Sequence, residues 1–368
     1  MPRAVVLAEA HLGTPPGKTA NGLVLHSVAD PVVCVIDSTQ AGRDAGEVVC
    51  GRPLGIPVVA SLDQALLHDP ETLYIGVANP GGFFPPGFED AIEEALRAGL
   101  DVVNGLHRFL SEEERFATAA SSGGAKILDV RKVPERLRVM DGSVTELDVP
   151  RVVIAGMDCD IGKRITAIEM LREMRSRGMD AGFVATGQTG CMLGPDAGCV
   201  IDRLPGDFAA GEVERMVVDV ARRGKELVLL YSQASIRHPA FSGVALSVLH
   251  GAAPNAVILQ VAPGRVQRAL FSHPSFTIGD IATEIDLIET LGGAKVVALA
   301  VNPMHLERGE VGEVCSRLEE EFGIPAEDPL TGDVGRLVDA VSAHLATLPT
   351  YRTVALSAPR PPRPDPGP

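Results

Sequence analysis

Short apolar runs alternate with amphipathic stretches along almost the whole chain. In the first part, Ala4 to Ala8, Val32 to Ile36, Ile56 to Ala60, Leu73 to Val77 and Asp101 to Asn104 read as strands, with helices at Thr19 to Val28, Leu62 to Leu67 and Phe88 to Ala98 between them. Further on, Val152 to Ala155, Gly182 to Ala185, Leu227 to Tyr231, Ala256 to Val261 and Val296 to Val301 repeat the signal, with helices from Lys163 to about Arg177 and from Val213 to Arg223. Buried β-branched runs interleaved with amphipathic helices predict an α/β chain whose mostly parallel sheets are covered on both faces. Residues 1–131 form a Rossmann-like domain on this reading. Residues 132–150 change character: alternating apolar positions flank Asp141 and Gly142, a hairpin-turn pair, and predict a two-stranded connector. Residues 151–349 form a second domain, and the proline-rich residues 350–368 are expected to be disordered.

The second domain opens on RVVIAGMDCDIGKRIT, a strand, a glycine-bounded loop and a helix start. Such a loop turns backbone N–H groups inward, and the helix N-terminus adds its positive dipole end, so the segment suits a phosphate chain. Gly156, Asp158, Cys159, Asp160, Gly162, Lys163 and Arg164 are the candidate phosphate-binding residues, with Lys163 as a mobile positive charge. The usual motif has four residues between its glycines and Ser or Thr after the lysine. Here there are five, Arg164 follows, and Thr166 is the nearest hydroxyl. The five-residue loop with Asp158 two places after the glycine resembles that of the dethiobiotin synthetase branch of P-loop proteins. An ordinary strand-to-helix turn is the bland alternative.

Charge narrows the partners. The formal net charge is -15 and the pI about 5.1, which argues against nucleic acid or an anionic membrane surface, both of which call for a basic footprint. No apolar run approaches the length of a membrane span. The six cysteines show no close metal-ligand spacing, so no metal site is expected, and the opening MPRAVVLAEAHLG is too short an apolar run for a signal peptide. A reducing, cytoplasmic setting is the expectation.

Candidate chemistry gathers where strands end, because open α/β sheets bind ligands at that edge. Thr186, Gln188 and Thr189 in TGQTGCMLGPDAG are donors for a phosphate or an oxyanion, or they cap their own loop. Asp207 is either a helix-entry group or a ligand-facing carboxylate. The Leu227 to Tyr231 strand sits where a Walker B strand would lie, but it ends in Tyr231 rather than in an acid that holds magnesium. Gln233, Ser235, Arg237 and His238 follow; His238 is a candidate general base, against the commoner structural role of a loop histidine. Arg265 is a candidate phosphate contact. Asn302 and Asp328 stand where P-loop proteins recognise a base or ribose, and both are also turn formers. In the first domain, Asp37 lies where a ribose-binding carboxylate would, yet no GxGxxG follows the first strand.

Taken in order, AGRDAGEV, IPVVASL, GLHRFLS, GMDCDIGKR, VATGQTG, PGDFAAGEVE, SIRHPAFSG and DPL resemble the two-domain P-loop family long known as a domain of unknown function, with a member assigned as D-glutamate N-acetyltransferase. The N-terminal pattern GIPVVASLDQAL, FEDAIEEALRAG, DVVNGLHRFLSEEE also resembles the CoA-binding domain of succinyl-CoA synthetase. The family resemblance implies a Rossmann-like N-terminal domain and a P-loop NTPase-like C-terminal domain. It implies acetyl transfer from acetyl-CoA to the amino group of a small amino acid, possibly of D configuration, in a homo-oligomer such as a dimer. On that reading the loop holds the cofactor phosphates, Gln188 or Gln233 faces the oxyanion, and His238 or Asp207 takes the amine proton. The alternatives are a Mg-ATP-dependent ligase or kinase, with Asp158, Asp160 and Thr166 around magnesium, and a non-catalytic nucleotide or CoA-binding protein. Two departures from the family pattern stand out: Met157 in the loop, and Tyr231 where the family has Glu.

Overall fold

The computed structural model describes residues 2–27, 30–78, 83–269, 273–307 and 309–349. The predicted tail therefore lies outside the described residues. The chain divides into two compact units: Met1–Arg138 with Ala185–Phe208, and Val139–Val184 with the chain from Ala209 onward.

The N-terminal unit is built on six strands, β1 (Ala4–Leu7), β2 (Val32–Ile36), β3 (Val58–Val59), β4 (Thr72–Ile75), β5 (Asp101–Asn104) and β6 (Ile127–Asp129). Their order is β3-β2-β1-β4-β5-β6 and every neighbouring pair is parallel. This is the doubly wound arrangement that the alternation of elements predicts. The crossovers are α1 (Lys18–His26), α2 (Ala45–Cys50), α3 (Leu62–Leu66), α4 (Phe88–Arg97) and α5 (Glu114–Gly123). In α4, Phe88, Ile92, Ala95 and Leu96 recur at helical spacing and are buried against Leu73, Ile75, Val102 and Phe116, while Glu89, Asp90 and Glu93 take the outer face. Pro57 confines β3 to two residues of the longer apolar run, since it has no N–H to give to a ladder.

The second unit centres on β7 (Arg151–Gly156), buried at every position and followed by α6 (Lys163–Ser176) and β8 (Ala181–Ala185). The chain then passes through α7 (Gln188–Met192) and β9 (Ala197–Gly198) in the segment that packs with the N-terminal unit, and α8 (Gly206–Arg222) follows. After it come β10 (Leu227–Tyr231), α9 (Ser242–Ala252), β11 (Ala256–Val261), α10 (Ile281–Gly292), β12 (Lys295–Val301), α11 (Val311–Phe322), β13 (Ala326–Glu327) and α12 (Val334–Leu345). Six strands run parallel in the order β13-β12-β11-β7-β10-β8. The loop after β7 thus leaves from the middle of the sheet. No helix among the described residues is long and apolar enough to cross a membrane.

Two local expectations fail. The connector is not a hairpin: residues 131–150 contain no strand, and Ser143–Glu146 form a 3-10 turn. Asp141 and Gly142 do turn the chain, with Gly142 at φ 88 and the Ser143 N–H donating to Asp141. The buried Glu214 carboxylate, however, accepts the N–H groups of Asp141 and Val144, so these donors cannot join a ladder. Likewise the helix expected from Val213 begins earlier, at Gly206, and takes in Asp207. Asp207 lies exposed in the first turn of α8, which starts earlier than its apolar spacing suggests because Pro205 presets the entry and the acidic side chain complements the helix dipole.

Candidate functional site

The loop from Gly156 to Lys163 is shaped by two glycines. A Cβ on Gly156 would lie 2.7 Å from Lys163 Cδ, so only glycine lets the lysine stem fold against the strand end. Gly162, at φ 102, caps α6, whose first intrahelical bond runs from Thr166 N to Gly162 O. The N–H groups of Lys163, Arg164 and Ile165 have no acceptor within the helix, which is the ordinary state of a helix start and the basis of its affinity for anions. Lys163 is 7% exposed and its Nζ donates to the Asp158 carbonyl. Burial pushes its ammonium below the ordinary value, against the pull of Cys159, Asp160, Asp158 and Glu284.

Asp158 is the hub of this cluster and is fully buried. Its Oδ2 accepts from Ala269 N at 2.7 Å and Arg265 Nη1 at 3.2 Å. Oδ1 faces His238 Nε2 at 3.6 Å and Arg268 Nη1 at 3.7 Å. Arg265 also donates to the Cys159 carbonyl, and Arg268 to that of Met157. Arg237 reaches toward Glu284 (3.9 Å) and Asp280 (3.7 Å), and its guanidinium lies so close to Gly279 that a Cβ there would meet it at 2.2 Å. Arg164 is in electrostatic reach of Tyr231 and Asp160. Lys163, Arg164, Arg265 and Arg268 therefore crowd around one loop of a strongly acidic chain.

Asp158, Cys159 and His238 place a carboxylate oxygen, a sulfur and a ring nitrogen within 4.8 Å of one another, a donor set known from transition-metal sites. The histidine decides against a metal. Ala240 N–H donates to Nδ1 at 3.2 Å, a pattern that leaves the proton on Nε2, and Nε2 lies 3.6 Å from Asp158 Oδ1, too far for a hydrogen bond. Neither nitrogen is left to ligate an ion, and for the same reason His238 is poorly set up as a general base. It is fully buried, stacks on Phe241 at 4.7 Å, and burial lowers its pKa, with Asp158 opposing and Arg268 and Lys163 reinforcing the shift.

Magnesium fits no better. Arg164 follows the loop lysine, and Tyr231 ends the strand that would carry the acid; Tyr231 is buried and stacks on Phe183 at 6.0 Å. The remaining hydroxyl, Thr166 Oγ1, donates to the buried Gln260.

Other candidates have local duties. Asn302 donates to the Ile161 carbonyl at 2.9 Å and accepts from Met304 N, tying the loop to the end of β12. Asp328 is buried and closes its own turn through Leu330 N and Thr331 Oγ1. Gln233 is half-buried in the His238 loop. Asp37 accepts from Leu12 N, Thr39 N and Thr39 Oγ1, so its carboxylate stitches the first two strand ends together and is taken from any ribose. Gln188, Thr189 and Asp207 belong by packing to the N-terminal unit.

Sequence reasoning missed Arg268 and Glu284. Arg268 is the second arginine of PGRVQRAL, and only its 5% exposure separates it from a surface residue. Glu284 is one of several acids on α10, but it is 1% exposed and accepts from Ser235 Oγ at 2.7 Å. Burial raises its carboxyl above the ordinary value, against Ser235, Arg237, Arg268 and the Ile236 N–H. A carboxyl raised in the fold contributes stability at low pH that is lost as pH rises through its folded value. Glu284→Gln is therefore expected to shift Tm upward more at about pH 8 than at about pH 5; equal shifts at both would show that burying the carboxylate carries no cost.

Residues 38–133 match the Rossmann-like DUF1611_N model and residues 138–338 the P-loop DUF1611_C model, both described as domains of unknown function. A D-glutamate N-acetyltransferase from Tritonibacter scottomollicae is 34% identical over 299 residues, 80% of this chain and 87% of that protein. One from a Pseudoalteromonas species is 29% identical over 281 residues, 76% of this chain and 83% of that protein. The crystal structure of a DUF1611 family protein from Anabaena variabilis superimposes with a TM-score of 0.85 at 32% identity, covering 93% of this chain and all of that one. With its two sheets, its glycine-bounded loop and these matches, the chain belongs to the DUF1611 family of two-domain Rossmann-like and P-loop proteins.

Proposed function

We propose that the protein is an N-acetyltransferase that moves an acetyl group from acetyl-CoA to the amino group of a small acidic amino acid, with D-glutamate the first acceptor to try, and that its P-loop holds the CoA phosphates. One observation carries the donor half of this reading. Lys163, Arg164, Arg265 and Arg268 meet at the loop, while the residue after the loop lysine and the strand end, where P-loop proteins usually hold magnesium, are Arg164 and Tyr231. A site rich in fixed cations can neutralise a phosphate chain directly. Direct aminolysis of a thioester asks for an unprotonated amine and donors aimed at the oxyanion. The names of the two relatives support the acceptor half. The Mg-ATP ligase or kinase reading loses its hydroxyl to the Thr166–Gln260 bond and its strand-end acid to Tyr231.

Calorimetric titration with acetyl-CoA, CoA and ATP, each with magnesium or with a chelator, tests the donor site. Acetyl-CoA and CoA are expected to bind equally in both conditions. Binding of ATP alone, and only with magnesium, would remove the reading.

A further inference from the structure

The parallel sheet of the N-terminal unit changes direction of winding between β1 and β4, where doubly wound proteins usually place a ligand. That crevice is sewn shut. Ala78 N donates to Pro16 O and Ala20 N to Gly76 O, while a Cβ on Gly17 would stand 2.0 Å from the His11 carbonyl. One step along the same edge, at the ends of β5 and β6, lies a polar cluster that the phosphate site does not use.

Its centre is Arg131, which is 8% exposed. Arg131 Nε donates to the Gly105 carbonyl at 2.7 Å and to Gln188 Oε1 at 3.1 Å; Nη2 donates to the same Gln188 oxygen at 2.6 Å, and Nη1 to Asp202 at 3.1 Å. One N–H on each terminal nitrogen has no acceptor among the described residues. Its only ion-pair partner among them, Asp202, is 46% exposed, so a buried guanidinium is balanced by a carboxylate in high dielectric. That is an incomplete compensation for a buried charge. The Gln188 amide nitrogen approaches Thr19 Oγ1 at 3.4 Å, and Thr19 and Thr189 share a hydrogen bond of 2.9 Å, both hydroxyls being buried. Gly105 permits this packing, since a Cβ there would meet Met192 at 2.8 Å. His107, two residues on, is exposed and in electrostatic contact with Arg131, Asp202 and Arg203.

We propose that this cluster is a carboxylate-binding site, with the acidic amino acid of the proposed reaction as its first candidate ligand: Arg131 receives a carboxylate through its two remaining N–H groups, within electrostatic reach of the exposed His107. A planar guanidinium with one N–H left on each terminal nitrogen suits a carboxylate, whose two oxygens are spaced to receive such a pair. The inference rests on the acyl-transfer reading for the identity of the ligand. Partial desolvation lowers the His107 pKa from 6.5, as does the charge of Arg131, with Asp202 opposing and Arg203 adding to the effect.

Two measurements test the site. Arg131→Lys is expected to weaken D-glutamate binding, read by calorimetry, at least about tenfold while leaving acetyl-CoA binding unchanged. Equal D-glutamate binding in the wild type and in Arg131→Lys would overturn the proposal and leave the acyl-transfer reading standing. Independently of turnover, D-glutamate titrated into protein carrying ¹⁵N-labelled histidine is expected to shift the His107 resonances. If the wild type acetylates no amino acid, the function reading fails, and this titration alone judges the site: a shift supports a carboxylate site at Arg131, and no shift overturns it.

Discussion

Asp158→Ala is expected to destabilise the protein by about 3–5 kcal/mol, the cost typical of removing one partner from a buried ion cluster. The carboxylate is wholly inaccessible and faces Arg265, Arg268 and His238 while accepting the Ala269 N–H. Its removal takes away the carboxylate that both guanidiniums face, and Arg268 is almost as buried as the acid it loses. The loss should appear in urea unfolding as a lower midpoint at constant slope. Added phosphate should restore part of it, since an anion bound to the folded state stabilises by mass action. A loss below about 1 kcal/mol would mean that the cations are solvated in solution and that Asp158 is no hub.

Lys163→Met should separate binding from folding. Hydrogen bonds from a charged donor contribute about 1.5–3 kcal/mol, so acetyl-CoA is expected to bind about 10- to 100-fold more weakly. Stability should move the other way. The Lys163 ammonium is held below its ordinary pKa by burial, so its charged form is disfavoured in the fold relative to the unfolded chain, and that penalty grows as pH falls. Methionine fills the same stem against Gly156 with no charge to desolvate. A higher Tm together with weaker acetyl-CoA binding is the expected pair of results. A lower Tm with unchanged binding would make Lys163 a structural residue.

The loop around Lys163 was readable in the sequence because its determinants are local. Gly156 and Gly162 set its conformation, β7 precedes it as an apolar run, and α6 follows directly from Gly162. The Rossmann-like unit was readable for the same reason, each strand and helix announcing itself by period. What escaped depends on contacts between residues far apart in the chain. Asp141 and Gly142 carry a hairpin signal, but Glu214, 73 residues from Asp141, takes the N–H the ladder would have used. The state of His238 is set by Ala240 N–H on one side and Asp158 on the other, and the second neighbour is invisible to local reading. Arg131 looks in sequence like one of several basic residues entering the connector; its meaning comes from Gly105, Gln188 and Asp202, which only the fold brings to it. Glu284 differs from the other acids of α10 in burial alone.

The measurement that tests the central claim most directly is product formation. Purified protein is incubated with acetyl-CoA and a panel of D- and L-amino acids in the presence of a chelator, and thiol release and acylated product are followed together. Stoichiometric CoA release with N-acetylation of an acidic amino acid, undiminished by the chelator and absent without protein, is the predicted result. Acetylation of none of the amino acids, or an activity that requires both ATP and magnesium, would contradict it.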